Sequence, residues 1–122
     1  MAIIPIVRCS QVKRSVEFYT KTLDFKRADE DPLTDPAYLF LTRAGDALVL
    51  SSYNKPAFGQ AVVVMTEDVD GLFRRYAARG LKSAKSESPV HQGPTDQTWG
   101  TREFYVDDPD GNTLQFTEAT PS

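Results

Sequence analysis

The chain contains one histidine, His91, and one cysteine, Cys9. Those two counts limit its chemistry at once. A Ser-His-Asp arrangement has only His91 to draw on, and no Gly-x-Ser-x-Gly elbow presents a nucleophilic serine. No glycine-rich loop suited to cradling a phosphate occurs. Cys9 follows an apolar run and reads as a small buried hydrophobe rather than a nucleophile. Being single, it forms no intramolecular disulfide, and it excludes multi-cysteine zinc sites. His91 lies in a long polar stretch and reads as a solvated loop residue. Glu103, two residues from Tyr105, is the candidate general base if it is buried. Arg102 beside it reads as half of a surface ion pair.

These groups must be positioned by regular elements. Ile3 to Val7 is a short apolar run, read as a strand, and Pro5 within it favours a sheet edge. Ser10 is placed to cap a helix over Gln11 to Leu23, whose apolar face is Val12, Val16, Tyr19 and Leu23. Strands are expected over Phe25 to Ala28, Tyr38 to Thr42 and Ala47 to Ser52. An acidic loop, Asp29 to Pro36, interrupts them. Tyr53 to Gly59 reads as a linker. A second strand, Ala61 to Met65, then leads into a helix marked by Val69, Leu72, Phe73 and Tyr76, stopped at Gly80. Leu81 to Lys85 is a weak strand. Phe104 to Val106 and Thr113 to Thr117 form a hairpin around Asp107-Asp108-Pro109-Asp110-Gly111-Asn112, a run dense in turn residues.

Each half therefore reads β-α-β-β-β. Ile4, Val12, Val16 and Tyr19 match Ala61, Val69, Phe73 and Tyr76, while Phe40 and Leu50 match Tyr105 and Gln115. The second half is longer between its helix and its last hairpin, and the extra residues fall within Ser83 to Thr98. Loops of that kind tolerate insertion and often carry binding function.

The chain resembles the vicinal oxygen chelate superfamily, the glyoxalase/bleomycin-resistance/dioxygenase group. Four pieces carry the resemblance: Ser15-Val16-Glu17-Phe18-Tyr19, Glu67-Asp68-Val69-Asp70, Trp99-Gly100-Thr101-Arg102-Glu103-Phe104, and Asp107 to Asn112. In this order, on a repeated frame, they cover nearly the whole chain. The resemblance implies an α+β fold in which two βαβββ modules, about 2–53 and 60–120 of a single domain 1–122, form an incomplete barrel around a cavity. It also implies a homodimer.

Metal-dependent members of the group hold a divalent ion with four side chains, typically His, Glu or Gln, from the first and last strands of each module. Carried onto this sequence, those positions fall on Ile4, Leu50, Ala61 and Gln115, of which only Gln115 can ligate. A slip of one residue would offer Gln60 in place of Ala61, but it would also turn the strand over. Two neutral amides bring no charge to offset ion dehydration. No metal and no cofactor are expected.

Strand alternation then fixes the lining of the cavity. With Gln115 facing in, so do Thr113 and Thr117, together with Ile4, Ile6 and Arg8, Tyr38 and Phe40, Leu48 and Leu50, Ala61, Val63 and Met65, and Glu103 and Tyr105. The candidate ligand-binding residues are Arg8, Tyr38, Phe40, Leu50, Trp99, Glu103, Tyr105 and Gln115. They make an apolar wall with sparse polar groups, the composition of a small-molecule pocket. Trp99 offers a flat face for stacking on a planar ligand.

With 122 residues, 40% hydrophobic and 25% charged, one soluble domain is the expectation. A net charge of -3 argues against nucleic acid, whose phosphates need a concentrated basic surface. The N-terminus does not read as a signal peptide and no run approaches a membrane span, so a cytoplasmic protein is expected. The best reading is a metal-free protein that binds an apolar or aromatic compound, with the acidic loop attractive to a cationic one. The alternative within the same group is a lyase, isomerase or dioxygenase. A third is a structural module with its cavity filled by its own side chains.

Overall fold

The computed structural model describes residues 2–29, 37–53 and 59–119. All but the first residue of the expected acidic loop, and most of the linker, lie outside them. Two compact units emerge, one of residues 1–60 with 108–112 and one of residues 61–107 with 113–122. Each holds a four-stranded sheet with helical segments, so the fold is α+β and built from a repeated module.

In the first unit the strands are β1 (Ile6–Arg8), β2 (Lys26–Arg27), β3 (Tyr38–Arg43) and β4 (Asp46–Ser51), in the order β1-β4-β3-β2. β1 is an edge strand, as Pro5 requires, and the Pro5 carbonyl accepts the Val49 N–H at 2.9 Å. β3 and β4 are joined by a tight turn in which Ala44 and Gly45 both have positive φ, 46° and 89°. That geometry matches the right-handed twist of the paired strands. The helix expected over residues 11–23 is divided. α1 (Val12–Glu17) is regular, and Phe18–Thr22 continues as a π-helical turn. Its N-cap is Gln11, not Ser10, and makes no side-chain cap bond. The Ser10 hydroxyl is instead hydrogen-bonded to the Asp110 carboxylate, which also accepts the Ser10 N–H at 3.2 Å.

Asp110 belongs to a polar cluster built on residues 108–112. Arg14 Nη2 donates to Asp110 Oδ1 at 3.0 Å, and the Ser15 hydroxyl lies 3.4 Å from Oδ2. Asp108 Oδ2 accepts the Tyr19 hydroxyl at 2.8 Å and the Asn112 amide at 3.0 Å. Its Oδ1 accepts the backbone N–H groups of Asp110 and Asn112, each at 2.9 Å. Burial, with the Asp108 carboxylate beside it, pushes the Tyr19 phenol well above its ordinary pKa. Cys9 is fully buried, as a small hydrophobe should be, and burial raises its thiol.

The second unit contains β5 (Ala61–Met65), α2 (Val69–Ala78), α3 (Pro89–Gln92), β6 (Thr95–Asp96), β7 (Thr101–Asp107) and β8 (Thr113–Ala119), with sheet order β5-β8-β7-β6. Asp68 caps α2 by accepting the Gly71 N–H at 3.1 Å. A Cβ on Gly71 would collide with that same carboxylate, which explains a glycine in the first turn. Gly80, at φ 96°, ends the helix, with Gly80 N–H bonded to Ala77 O and Leu81 N–H to Tyr76 O. The core is aromatic. Phe104 and Phe116 stack at 5.0 Å, and Tyr76 meets both edge-on.

Leu81 to Lys85 is not a strand. The sheet position it was expected to fill is taken by β6, pairing Thr95 with Glu103 and Asp96 with Arg102. The long segment between α2 and β7 is thus partly ordered by α3 and β6. Among the described residues no helix is long and apolar enough to cross a membrane.

Candidate ligand-binding faces

Each sheet has one face covered by α1 or α2 and an opposite, more open face, which still buries Val49, Ser51, Glu103 and Thr117 and which α3 meets at Tyr105 and Asp107 in the second unit. In the first unit, strand pairing sets two rows on the open face: Ile6, Val49 and Phe40, then Arg8, Ser51 and Tyr38. Tyr38 and Phe40 are 45% and 40% exposed, and their rings meet edge-on at 5.6 Å. Tyr53, 60% exposed, lies 6.4 Å from Tyr38. This is a contiguous aromatic surface beside a half-buried Arg8. An exposed apolar surface of that kind is a candidate interaction surface.

Leu50 does not belong to it. Leu50 pairs with Leu39 and Val7, and the three side chains point to the helix-covered face, where Leu50 is fully buried. Leu48, paired with Leu41, lies there too. The cause is register. The Phe40–Val49 pair is the counterpart of Tyr105–Gln115. The first hairpin closes through Ala44 and Gly45, whereas the second closes through the five residues from Asp108 to Asn112. Val49 is therefore the residue at the position of Gln115, and one residue of slip reverses the face.

In the second unit the open face again shows two rows: Val63, Gln115 and Tyr105, then Met65, Thr117 and Glu103. Val63 and Met65 are exposed. Glu103, only 5% exposed, is held by two neutral donors, Thr101 Oγ1 at 2.8 Å to Oε2 and Tyr105 Oη at 2.9 Å to Oε1. Burial and the bond to Glu103 both raise the Tyr105 phenol. Glu103 has no cationic partner among the described residues. Arg102 takes no part. It forks onto Asp70 at 2.9 and 3.0 Å and reaches Asp96 at 3.2 Å, an ion-pair cluster on the other side of the strand. Trp99 stands exposed just before β7.

Gln60 has a role that sequence reasoning missed. Its side-chain Oε1 accepts Arg8 N–H at 2.8 Å, and its Nε2 donates to the Ile6 carbonyl at 2.8 Å. The amide thereby imitates a strand along the free edge of β1. Only this long-range pairing reveals it. His91 is likewise not a solvated loop residue. Its Nε2 lies 3.2 Å from Asp107 Oδ1 and its Nδ1 2.7 Å from the Ser88 hydroxyl.

The corrected register leaves the metal-binding positions no better supplied. Val49 replaces Leu50 and is just as apolar, so Ile4, Val49, Ala61 and Gln115 offer a single neutral amide. That donor set does not fit a divalent ion. Among the described residues no three of His, Cys, Asp or Glu come together as a ligand group.

A family model described as the Glyoxalase/Bleomycin resistance protein/Dioxygenase superfamily matches residues 3–116. Solved structures similar to this one include the bleomycin resistance determinant encoded on the transposon Tn5, with 20% identity, 98% of each chain covered and a TM-score of 0.78. TnmS3, an antibiotic binding protein from Streptomyces sp. CB03234, shows 24% identity, 98% of each chain covered and a TM-score of 0.76. The bleomycin-binding protein of Streptomyces verticillus, solved with copper(II)-bleomycin, shows 22% identity, 100% of this chain and 97% of that one covered, and a TM-score of 0.72. No curated protein matches the chain.

Proposed function

Because the chain belongs to the glyoxalase/bleomycin resistance protein/dioxygenase superfamily, we propose that it is a metal-free small-molecule-binding protein for an aromatic or apolar compound carrying a cationic group. The observation that carries this reading is the exposed Tyr38, Phe40 and Tyr53 cluster on an open sheet face. Aromatic rings provide large contact area with few rotatable bonds, so they bind a flat ligand at low entropic cost. On the sheet of the second unit, Glu103 is the proposed partner for a cationic group. Each of its oxygens accepts one hydroxyl and keeps lone-pair capacity for an ammonium or guanidinium donor. The proposed residues also include Arg8 on the face of the first unit, and Trp99, Tyr105 and Gln115 with Glu103 in the second. The similar structures include proteins that bind bleomycin or another antibiotic.

The test is a titration of the full chain with bleomycin and with a panel of planar aromatic cations, following melting temperature and Trp99 emission. A ligand at a hundredfold excess over its Kd raises stability by about 2.7 kcal/mol. Joint replacement of Tyr38 and Phe40 by alanine should weaken binding at least about tenfold, the loss of roughly one buried aromatic contact. A panel that moves neither signal removes the reading. The enzyme alternative rests on the same Glu103, as a general base next to Tyr105. Glu103→Gln separates the two: it weakens a cationic ligand if Glu103 binds, but stops turnover and spares affinity if Glu103 catalyses.

The same reading places the protein in the cytoplasm as a homodimer. Its support is the exposure of large apolar side chains such as Ile3, Val63, Met65 and Trp99. Sedimentation should give twice the monomer mass at micromolar concentration, and a purely monomeric boundary would discard the dimer.

A further inference from the structure

The second unit contains a cavity of about 180 Å³ that the proposed function does not use. One wall is the segment Leu81 to Lys85, another is His91, and Tyr105, Val106 and Asp107 of β7 form the floor. Its size is that of a single substituted ring, since an apolar cavity of about 150 Å³ admits benzene. The rings of His91 and Tyr105 stand edge-to-face at 5.8 Å and form an aromatic corner.

The charges decide what else the ring should carry. Among the described residues of the lining Asp107 alone is acidic, and its carboxylate is already engaged. It takes Lys85 Nζ at 2.7 Å, Thr113 Oγ1 at 2.8 Å and His91 Nε2 at 3.2 Å. Burial alone would raise its pKa, but these donors hold it below the usual carboxylate range. Lys82, on the same wall, has no hydrogen-bond or ion-pair partner among the described residues. Among its described residues the lining thus presents one answered anion and one unanswered cation, and Ser83, whose hydroxyl accepts the Lys85 N–H at 3.1 Å.

We propose that this cavity is a second binding site, for a single-ring aromatic carboxylate. The ring packs in the corner of His91 and Tyr105, and the carboxylate pairs with the Lys82 ammonium. Because the Tyr105 hydroxyl donates to Glu103, the occupied cavity shares a residue with the open face of the sheet.

The experiment uses benzoate, and benzylamine as a probe of equal size and opposite charge. Both are titrated into the full chain while the His91 ring protons and the Ala84 methyl are followed by NMR. Benzoate should give saturable shifts of both signals; benzylamine is judged at the Ala84 methyl alone, which it should not shift, because a cation held by Glu103 acts on His91 through Tyr105. Lys82→Gln, an exposed substitution checked for fold by circular dichroism, should weaken benzoate at least fivefold. Ala84→Leu, which fills the cavity, should abolish the saturable shifts. Equal binding of the two probes, shifts that grow linearly without saturating, or full affinity in Lys82→Gln would each overturn the proposal. So would failure of benzoate to shift His91 at all. None of these outcomes depends on whether an aromatic cation binds at Tyr38 and Phe40.

Discussion

Asp108→Ala is expected to destabilise the protein by about 3–5 kcal/mol, the range for breaking a buried hydrogen-bonded network around a charge. The buried Asp108 carboxylate accepts four donors. Alanine leaves the Tyr19 hydroxyl and the two backbone N–H groups unanswered, while the Asn112 amide keeps the Arg8 carbonyl at 2.8 Å. The Tyr19 hydroxyl is fully buried, so the loss of its acceptor costs its full desolvation penalty. Asp108→Asn keeps the shape and one acceptor oxygen for the two backbone N–H groups. Its new amide would face the Asn112 amide donor, so an intermediate loss is expected. Tyr19→Phe removes one donor and should cost only about 1 kcal/mol. Urea unfolding of the three variants gives the order directly. An Asp108→Ala protein within about 1 kcal/mol of the parent would show that the carboxylate does not organise this cluster.

Leu50→Ala should cost about 2–5 kcal/mol, the range for emptying a fully buried leucine site. Its affinity for an aromatic ligand, measured on the folded fraction, should not change. The reason is the register that turns Leu50 toward Val7 and Leu39. Calorimetric unfolding and a ligand titration on the same sample separate the two effects. If affinity fell tenfold with little loss of stability, Leu50 would lie on the binding face after all.

The slip at Leu50 also shows what a sequence of this kind makes visible. The repeat, the amphipathic stripes of α1 and α2 and the final hairpin are local patterns, and each formed close to where its residues indicate. Alternation along β5, β7 and β8 correctly placed Val63, Met65, Glu103, Tyr105 and Gln115 on one face. Matching the halves by residue type treated the two hairpins as equal in length, and their turns are not. β6 was missed because it is two residues long and Asp96 is disfavoured in strands; the pair forms because β7 offers a free edge. Ser10 has the chemistry of a helix cap. Its partner lies a hundred residues away, and no local rule foretells that. Gln60 and His91 were misjudged for the same reason: their partners are set by tertiary packing.

The cluster around Asp108 and Asp110 bears on how the chain comes to be folded as it is made. The ribosome releases residues in order, and the first unit takes five of its residues from positions 108–112. The first sixty residues can form their strands and helix early, but the Tyr19 hydroxyl, Ser15 and Arg14 have no carboxylate to meet until the last hairpin emerges. The N-terminal module therefore waits for the last hairpin, and the two modules are completed almost together, because β8 follows directly on residue 112.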